Sequence, residues 1–79
     1  MAKHNVHTSI AEYDYGYDYQ LQEYFLTKYD GEDGPIAIIG PLAGVYGDKV
    51  ALIEAMISEN IFHRIPDDHA NRIILDLPL

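Results

Sequence analysis

EYDYGYDYQ, residues 12 to 20, sets a tyrosine at every second position (Tyr13, Tyr15, Tyr17, Tyr19) and fills the gaps with Glu12, Asp14, Gly16, Asp18 and Gln20. Whether this stretch is extended or coiled decides the fold, because the two conformations send rings and carboxylates to different places. In a strand, successive side chains alternate between faces. All four rings then project from one face over about 20 Å, at roughly 3.3 Å per residue, and Glu12, Asp14 and Asp18 from the other. In a helix the rings and acids mix around the axis.

The period-2 alternation predicts a strand up to Tyr15, ended by Gly16. Upstream, Val6, Thr8 and Ile10 alternate on even positions, whereas Ala11, Tyr13 and Tyr15 alternate on odd ones, so a bulge or turn is expected between 10 and 11. Downstream, Leu21, Tyr24, Phe25, Lys28 and Tyr29 fall at i, i+3, i+4, i+7 and i+8, one face of a helix, with Asp18 as N-cap and Gly31 as stop. The two templates compete over residues 17 to 21. Because the strand phase fails after Leu21 we expect the helix, with a continuous tyrosine hairpin as the alternative.

DGEDGP, residues 30 to 35, is dense in turn formers and predicts an exposed loop. The apolar run IAII, residues 36 to 39, predicts a buried and central strand. Asp48 is placed to cap the helix KVALIEAMISEN, in which Val50, Leu52, Ile53, Met56 and Ile57 occupy a broad arc and Asn60 closes the end. After a loop holding Pro66, Asp67 and Asp68, RIILDL (residues 72 to 77) predicts a last strand stopped by Pro78. The expected fold class is α+β: a single small domain over residues 1–79, a short sheet of about three strands packed with two helices, with residues 1–5 frayed.

A chain of 79 residues is one domain, and at this size it buries only about 60 to 65 % of the surface it exposes when unfolded. With no cysteine, neither disulfides nor a thiolate metal cluster supplement the core. A hydrophobic content of 48 % is that of a folded chain. The first ten residues hold no apolar run of signal-peptide length, and the longest uncharged stretch, residues 34 to 47, is too short and too rich in Gly and Pro to span a bilayer. We therefore expect a cytoplasmic protein. The formal net charge of -8 repels phosphate backbones and anionic lipid, which argues against direct binding to nucleic acid or membrane.

Signatures of catalysis are weak. IAIIGPLAGVYGDKVALIEAM has the order strand, glycine-rich loop, helix, but its spacing fits neither G-x-x-x-x-G-K-[ST] nor G-x-G-x-x-G, and Asp48 would face an anionic ligand. A crossover that lets strand and helix pack closely explains the glycines better. His4, His7, His63 and His69 with Asp67 and Asp68 lack the i, i+4 spacing of a zincin. Ser9 and Ser58 carry no nucleophile elbow, and a domain this small has little room for a glycosidase groove. We expect a protein that is not an enzyme, with no metal and no cofactor.

Residues 12 to 33 hold seven of the thirteen acids and one base, Lys28. Clustering like charges costs self-repulsion, but spaced carboxylates beside tyrosines complement a basic groove, where they stand in for phosphates in charge-assisted bonds. The expected partner is a protein with a basic, nucleic-acid-binding surface. The expected partner-binding residues are Tyr13, Tyr15, Tyr17, Tyr19 and Tyr24 as anchors and Glu12, Asp14, Asp18, Glu23, Asp30, Glu32 and Asp33 as the charged set. In size and acidity the chain resembles the small inhibitors that phages encode against host defence, such as anti-CRISPR and DNA-mimicking anti-restriction proteins. The likeness is one of composition and implies an inhibitory binder. The alternatives are an antitoxin or immunity partner of a basic toxin, and a structural subunit that assembles with itself into a homo-oligomer.

Overall fold

The computed structural model describes residues 2–31 and 34–79, so that Glu32 and Asp33 lie outside the described residues. The strands are β1 (Ala2–His7), β2 (Glu12–Asp18), β3 (Glu23–Tyr29) and β4 (Pro35–Ile39), followed by α1 (Lys49–Ser58), a 3-10 turn (Phe62–Arg64) and α2 (Asp67–Ile74). The strands form one antiparallel meander in the order β1-β2-β3-β4. The class is α+β with two helices, as expected, and the sheet has one strand more than expected.

The tyrosine hairpin is the conformation adopted. β2 runs without a break through Gly16 to Asp18 and pairs with β3 in the register Tyr13↔Lys28, Tyr15↔Leu26, Tyr17↔Tyr24. The helix expected from Leu21, with Asp18 as its cap, is instead a turn followed by β3. Asp18 Oδ1 accepts from the backbone N–H of Gln20 (3.0 Å) and of Leu21 (3.1 Å). Those are the bonds of an N-cap, here closing a turn whose last residue, Gln22, has φ 54°. Gly16 stands opposite Phe25 in this register.

At the other hairpin Thr8 makes the expected turn: its hydroxyl oxygen accepts from the N–H of Ile10 and of Ala11, and the Thr8 N–H donates to the Ala11 carbonyl at 2.8 Å. The phase of alternation flips there. Residues 2 to 5, expected to be frayed, belong to β1 and pair with residues 14 to 17. β4, expected to be central, is an edge strand. Ile38 has no partner in the register, which runs Leu26↔Ile39 and then Thr27↔Ala37, and this bulge bends the edge.

The expected last strand is instead the end of α2 and its exit. Asp67 and Asp68 lie in its first turn and Arg72 in its last, which suits the helix dipole. The N–H of Asp76 donates to the Ile73 carbonyl and that of Leu77 to the Arg72 carbonyl, a Schellman ending with Asp76 in the left-handed region at φ 60°. α1 ends in the same way, with Asn60 at φ 60°. At its start Asp48 accepts from the Ala51 N–H at 2.8 Å, as its position predicts.

Between β4 and α1, Gly47 lies against β3. A Cβ there would be 1.8 Å from the Tyr24 carbonyl oxygen, and the Tyr24 N–H donates to the Gly47 carbonyl at 2.7 Å. The glycine thus lets the crossover close on the sheet, and Glu23 holds it from the side by accepting from its N–H at 3.0 Å. Both helices cover one face of the sheet. Val6, Tyr13, Tyr15, Tyr24, Leu26, Leu52, Met56, Ile61 and Ile73 fill the space between.

Candidate functional site

The alternation in β2 now separates the expected site into two sets. Tyr13, Tyr15 and Tyr24 are each only 1 % exposed and point under the helices, so they are core residues and present no surface to a partner. Their hydroxyls explain why they are not phenylalanines. Tyr13 donates to Glu59 at 2.7 Å, Tyr15 lies 2.6 Å from His69 Nδ1, and Tyr24 donates to the Leu77 carbonyl at 2.7 Å. Tyr19, half exposed, donates to the Leu79 carbonyl at 3.1 Å. The stripe fastens the second half of the chain to the first.

Tyr17 is half-buried between its neighbours, its ring centroid 5.0 Å from that of Tyr24 and 5.3 Å from that of Tyr19, both edge to face. Burial pushes the Tyr15 and Tyr24 phenols up to about 12. Lys28, on the same face, reaches Glu59 at 3.1 Å and lies 6.0 Å over the Tyr13 ring, and the Glu59 carboxylate raises its pKa. Glu59 caps the C-terminal end of α1, where the dipole disfavours an acid, so both contacts offset that cost.

Glu12, Asp14 and Asp18 project from the opposite, helix-free face. Their alternation puts Glu12 and Asp14 about 7 Å apart along the strand and Asp18 about 14 Å beyond Asp14. Asp14 accepts from the Asn5 amide at 2.9 Å and sits 3.8 Å from Lys3. Glu12 lies 3.6 Å from His7. Beside them the Tyr29 phenol is held above its usual pKa, chiefly by the Asp14 carboxylate. Asp30 is exposed just past the end of β3. Glu23 is buried and occupied by Gly47, so its role is structural.

The same face carries residues that the sequence did not mark as a site. Phe25, Thr27 and Tyr29 of β3, with Pro35 and Ala37 of β4, floor a groove of about 440 Å3 lined by Asp14 and Asp18 on one side and by Pro41, Leu42 and the end of β4 at Ile39, a core residue paired with Leu26, on the other. Among the described residues, none of those that line it belongs to a helix. Leu42 stands 91 % exposed at the rim, carried by a tight loop in which the Gly40 N–H donates to the Val45 carbonyl at 2.8 Å. The alternation of Phe25, Thr27 and Tyr29 was the signal for this floor. It was masked because the same rings also fit a helical face.

The histidines do not assemble. His4 and His69 pack with ring centroids 4.2 Å apart and ring planes tilted by 48°, His7 faces Glu12, and His63 is exposed on the 3-10 turn. Among the described residues no group of three or more His, Cys, Asp or Glu is arranged to hold a metal ion. A second, smaller pocket, lined by Tyr17, Gln22, Tyr24, Tyr46, Gly47, Asp48 and Asp76, lies at the start of α1. Among the described residues no helix is long and apolar enough to cross a membrane. Compared with protein-family models, curated proteins and solved structures, the chain matches none of them.

Proposed function

We propose that this protein is a non-enzymatic inhibitor that lays the open face of its sheet on a basic, nucleic-acid-binding surface of a partner protein and so keeps nucleic acid away from it. The observation that carries the proposal is the column Glu12, Asp14, Asp18 beside an apolar groove, on a face that the chain's own helices leave uncovered. Carboxylates at strand spacing offer charge-assisted bonds to Arg and Lys, and the groove supplies area that excludes water around them. The net charge of -8 steers a cationic partner toward the molecule.

The anchors in this proposal differ from those first expected: Phe25, Tyr29 and Leu42 replace Tyr13, Tyr15 and Tyr24. Asp30 extends the charged set at the end of β3. The site of action is the cytoplasm, as for the phage inhibitors that the chain resembles in composition.

Affinity capture from a bacterial lysate at low and at moderate salt, followed by release with competing DNA or RNA, tests this. Retention of a nucleic-acid-binding protein that salt weakens and polynucleotide displaces is the expected result. A captured partner that competing nucleic acid fails to displace would contradict the proposal.

One observation favours a second reading, self-assembly. Val50 and Ile57 are more than half exposed on α1, a helix with apolar residues all round, and such a helix is ordinarily covered. Light scattering showing a stable oligomer with no heterologous partner would support it.

A further inference from the structure

We propose that the open-face groove is a slot for one arginine side chain of the basic partner; the inference rests on the binding function proposed above and specifies its contact. The groove has two kinds of wall. Its floor is largely apolar, with Phe25, Pro35 and Ala37, and its β2 side bears Asp14 and Asp18. An apolar trough with a carboxylate at its edge matches a side chain with an alkyl stem and a cationic head. Guanidinium suits it better than ammonium, because it is planar and stacks on an aromatic ring such as that of Phe25, which lines the groove. At about 440 Å3 the groove lies near the small end of the roughly 300–1,000 Å3 typical of ligand pockets, a size for one long side chain and its backbone.

The chain already shows that a cation sits there. Lys3 lines the groove and approaches Asp14 at 3.8 Å while remaining 61 % exposed, a loose contact that a better-fitting cation can displace. Asp18 uses one carboxylate oxygen, Oδ1, to close the β2–β3 turn. Leu42, at the rim, is placed to fold over the stem of an occupant.

The probe is the capped peptide acetyl-Gly-Arg-Gly-amide, titrated into isotopically labelled protein and followed by amide chemical shifts. Saturable shifts at Phe25, Thr27 and Ala37, with the lysine peptide weaker and the norleucine peptide weaker still, are expected. Asp14→Asn with Asp18→Asn should weaken the arginine peptide about tenfold, the loss of one charge-assisted contact. Ala37→Leu, which fills the floor without touching the acids, should weaken it too.

Equal binding of the norleucine peptide would overturn the proposal, as would shifts spread without saturation over Asp67, Asp68 and the other exposed acids. Groove shifts that depend on protein concentration alone would give the site to a second copy of this chain and overturn it as well. The outcome is separable from the proposed function. A partner can be captured and displaced by DNA without filling this slot, and the peptide can bind even if no nucleic-acid-binding protein is retained.

Discussion

Replacing Tyr15 tests the account of the tyrosine stripe at its centre. The ring is 1 % exposed and its hydroxyl is 2.6 Å from His69 Nδ1. Tyr15→Phe keeps the ring and removes that hydrogen bond, which should cost about 0.5–1.5 kcal/mol. Tyr15→Ala removes the ring as well, and buried aromatic-to-alanine changes cost about 3–5 kcal/mol. A domain of 79 residues has a total stability of roughly 4–12 kcal/mol at about 0.05–0.15 kcal/mol per residue. The phenylalanine variant therefore folds, and the alanine variant loses most of its margin.

Urea denaturation followed by circular dichroism reads both. With a slope near 1 kcal/mol per molar urea, the low end for small domains, the Tyr15→Phe midpoint should fall by about 1 M, and Tyr15→Ala should show little or no folded baseline. An alanine variant whose midpoint stays within about 0.5 M of the parent would refute the core assignment and return Tyr15 to the surface.

Other outcomes follow from single contacts. Asp48→Ala removes the α1 cap bond to Ala51 and should cost about 1 kcal/mol, measured in the same denaturation assay, with Asp48→Asn largely restoring it. Gly47→Ala forces the crossover off the Tyr24 backbone and should destabilise more than Gly31→Ala, which meets nothing within 4 Å and costs only the backbone strain of its φ of 104°. Stability should also fall on both sides of a pH plateau. His4, between Tyr15 and His69, is held below its ordinary 6.5 by burial and then by His69, so the unfolded chain binds the proton more readily and stability drops as pH falls through 6.5. Tyr15 and Tyr24, raised to about 12 by burial, ionise more easily unfolded, so stability drops as pH rises from 10 toward 12. A pH series of thermal melts checks both limbs, and His4→Gln should flatten the acidic one.

Much of this architecture is legible in the chain, and the misreadings have physical causes. Asp48 and Asn60 delimit α1 because capping depends on local backbone groups that any context leaves unsatisfied. Asp18 misled because a side chain accepting from the second and third following N–H groups is chemically the same in an N-cap and in a turn. β3 looked helical because it is apolar on both faces: Tyr24 and Leu26 enter the core while Phe25 and Tyr29 floor the groove.

The end of α2 looked like a strand because Ile73 and Ile74 are β-branched, although Asp67 and Asp68 before them and Arg72 beside them suit a helix dipole. At the candidate site, sequence alternation alone placed Glu12, Asp14 and Asp18 together, conditional on an extended chain. It carried no information on which face the helices would cover. That is settled by long-range packing, through bonds such as Tyr13 to Glu59 and Tyr24 to Leu77 that span 46 and 53 residues.

The central claim is that the open face, and not acidity in general, engages the partner. Its most direct test compares two charge-matched variants in binding to the captured protein. Glu12→Gln with Asp14→Asn and Asp18→Asn neutralises the open face, and Glu54→Gln with Asp67→Asn and Asp68→Asn neutralises exposed acids on the helices. Each triple removes the same charge and keeps side-chain volume. The account expects the first to abolish or severely weaken binding while the second changes mainly the salt-dependent association rate. Equal loss from both would contradict it and reduce the acids to a diffuse field.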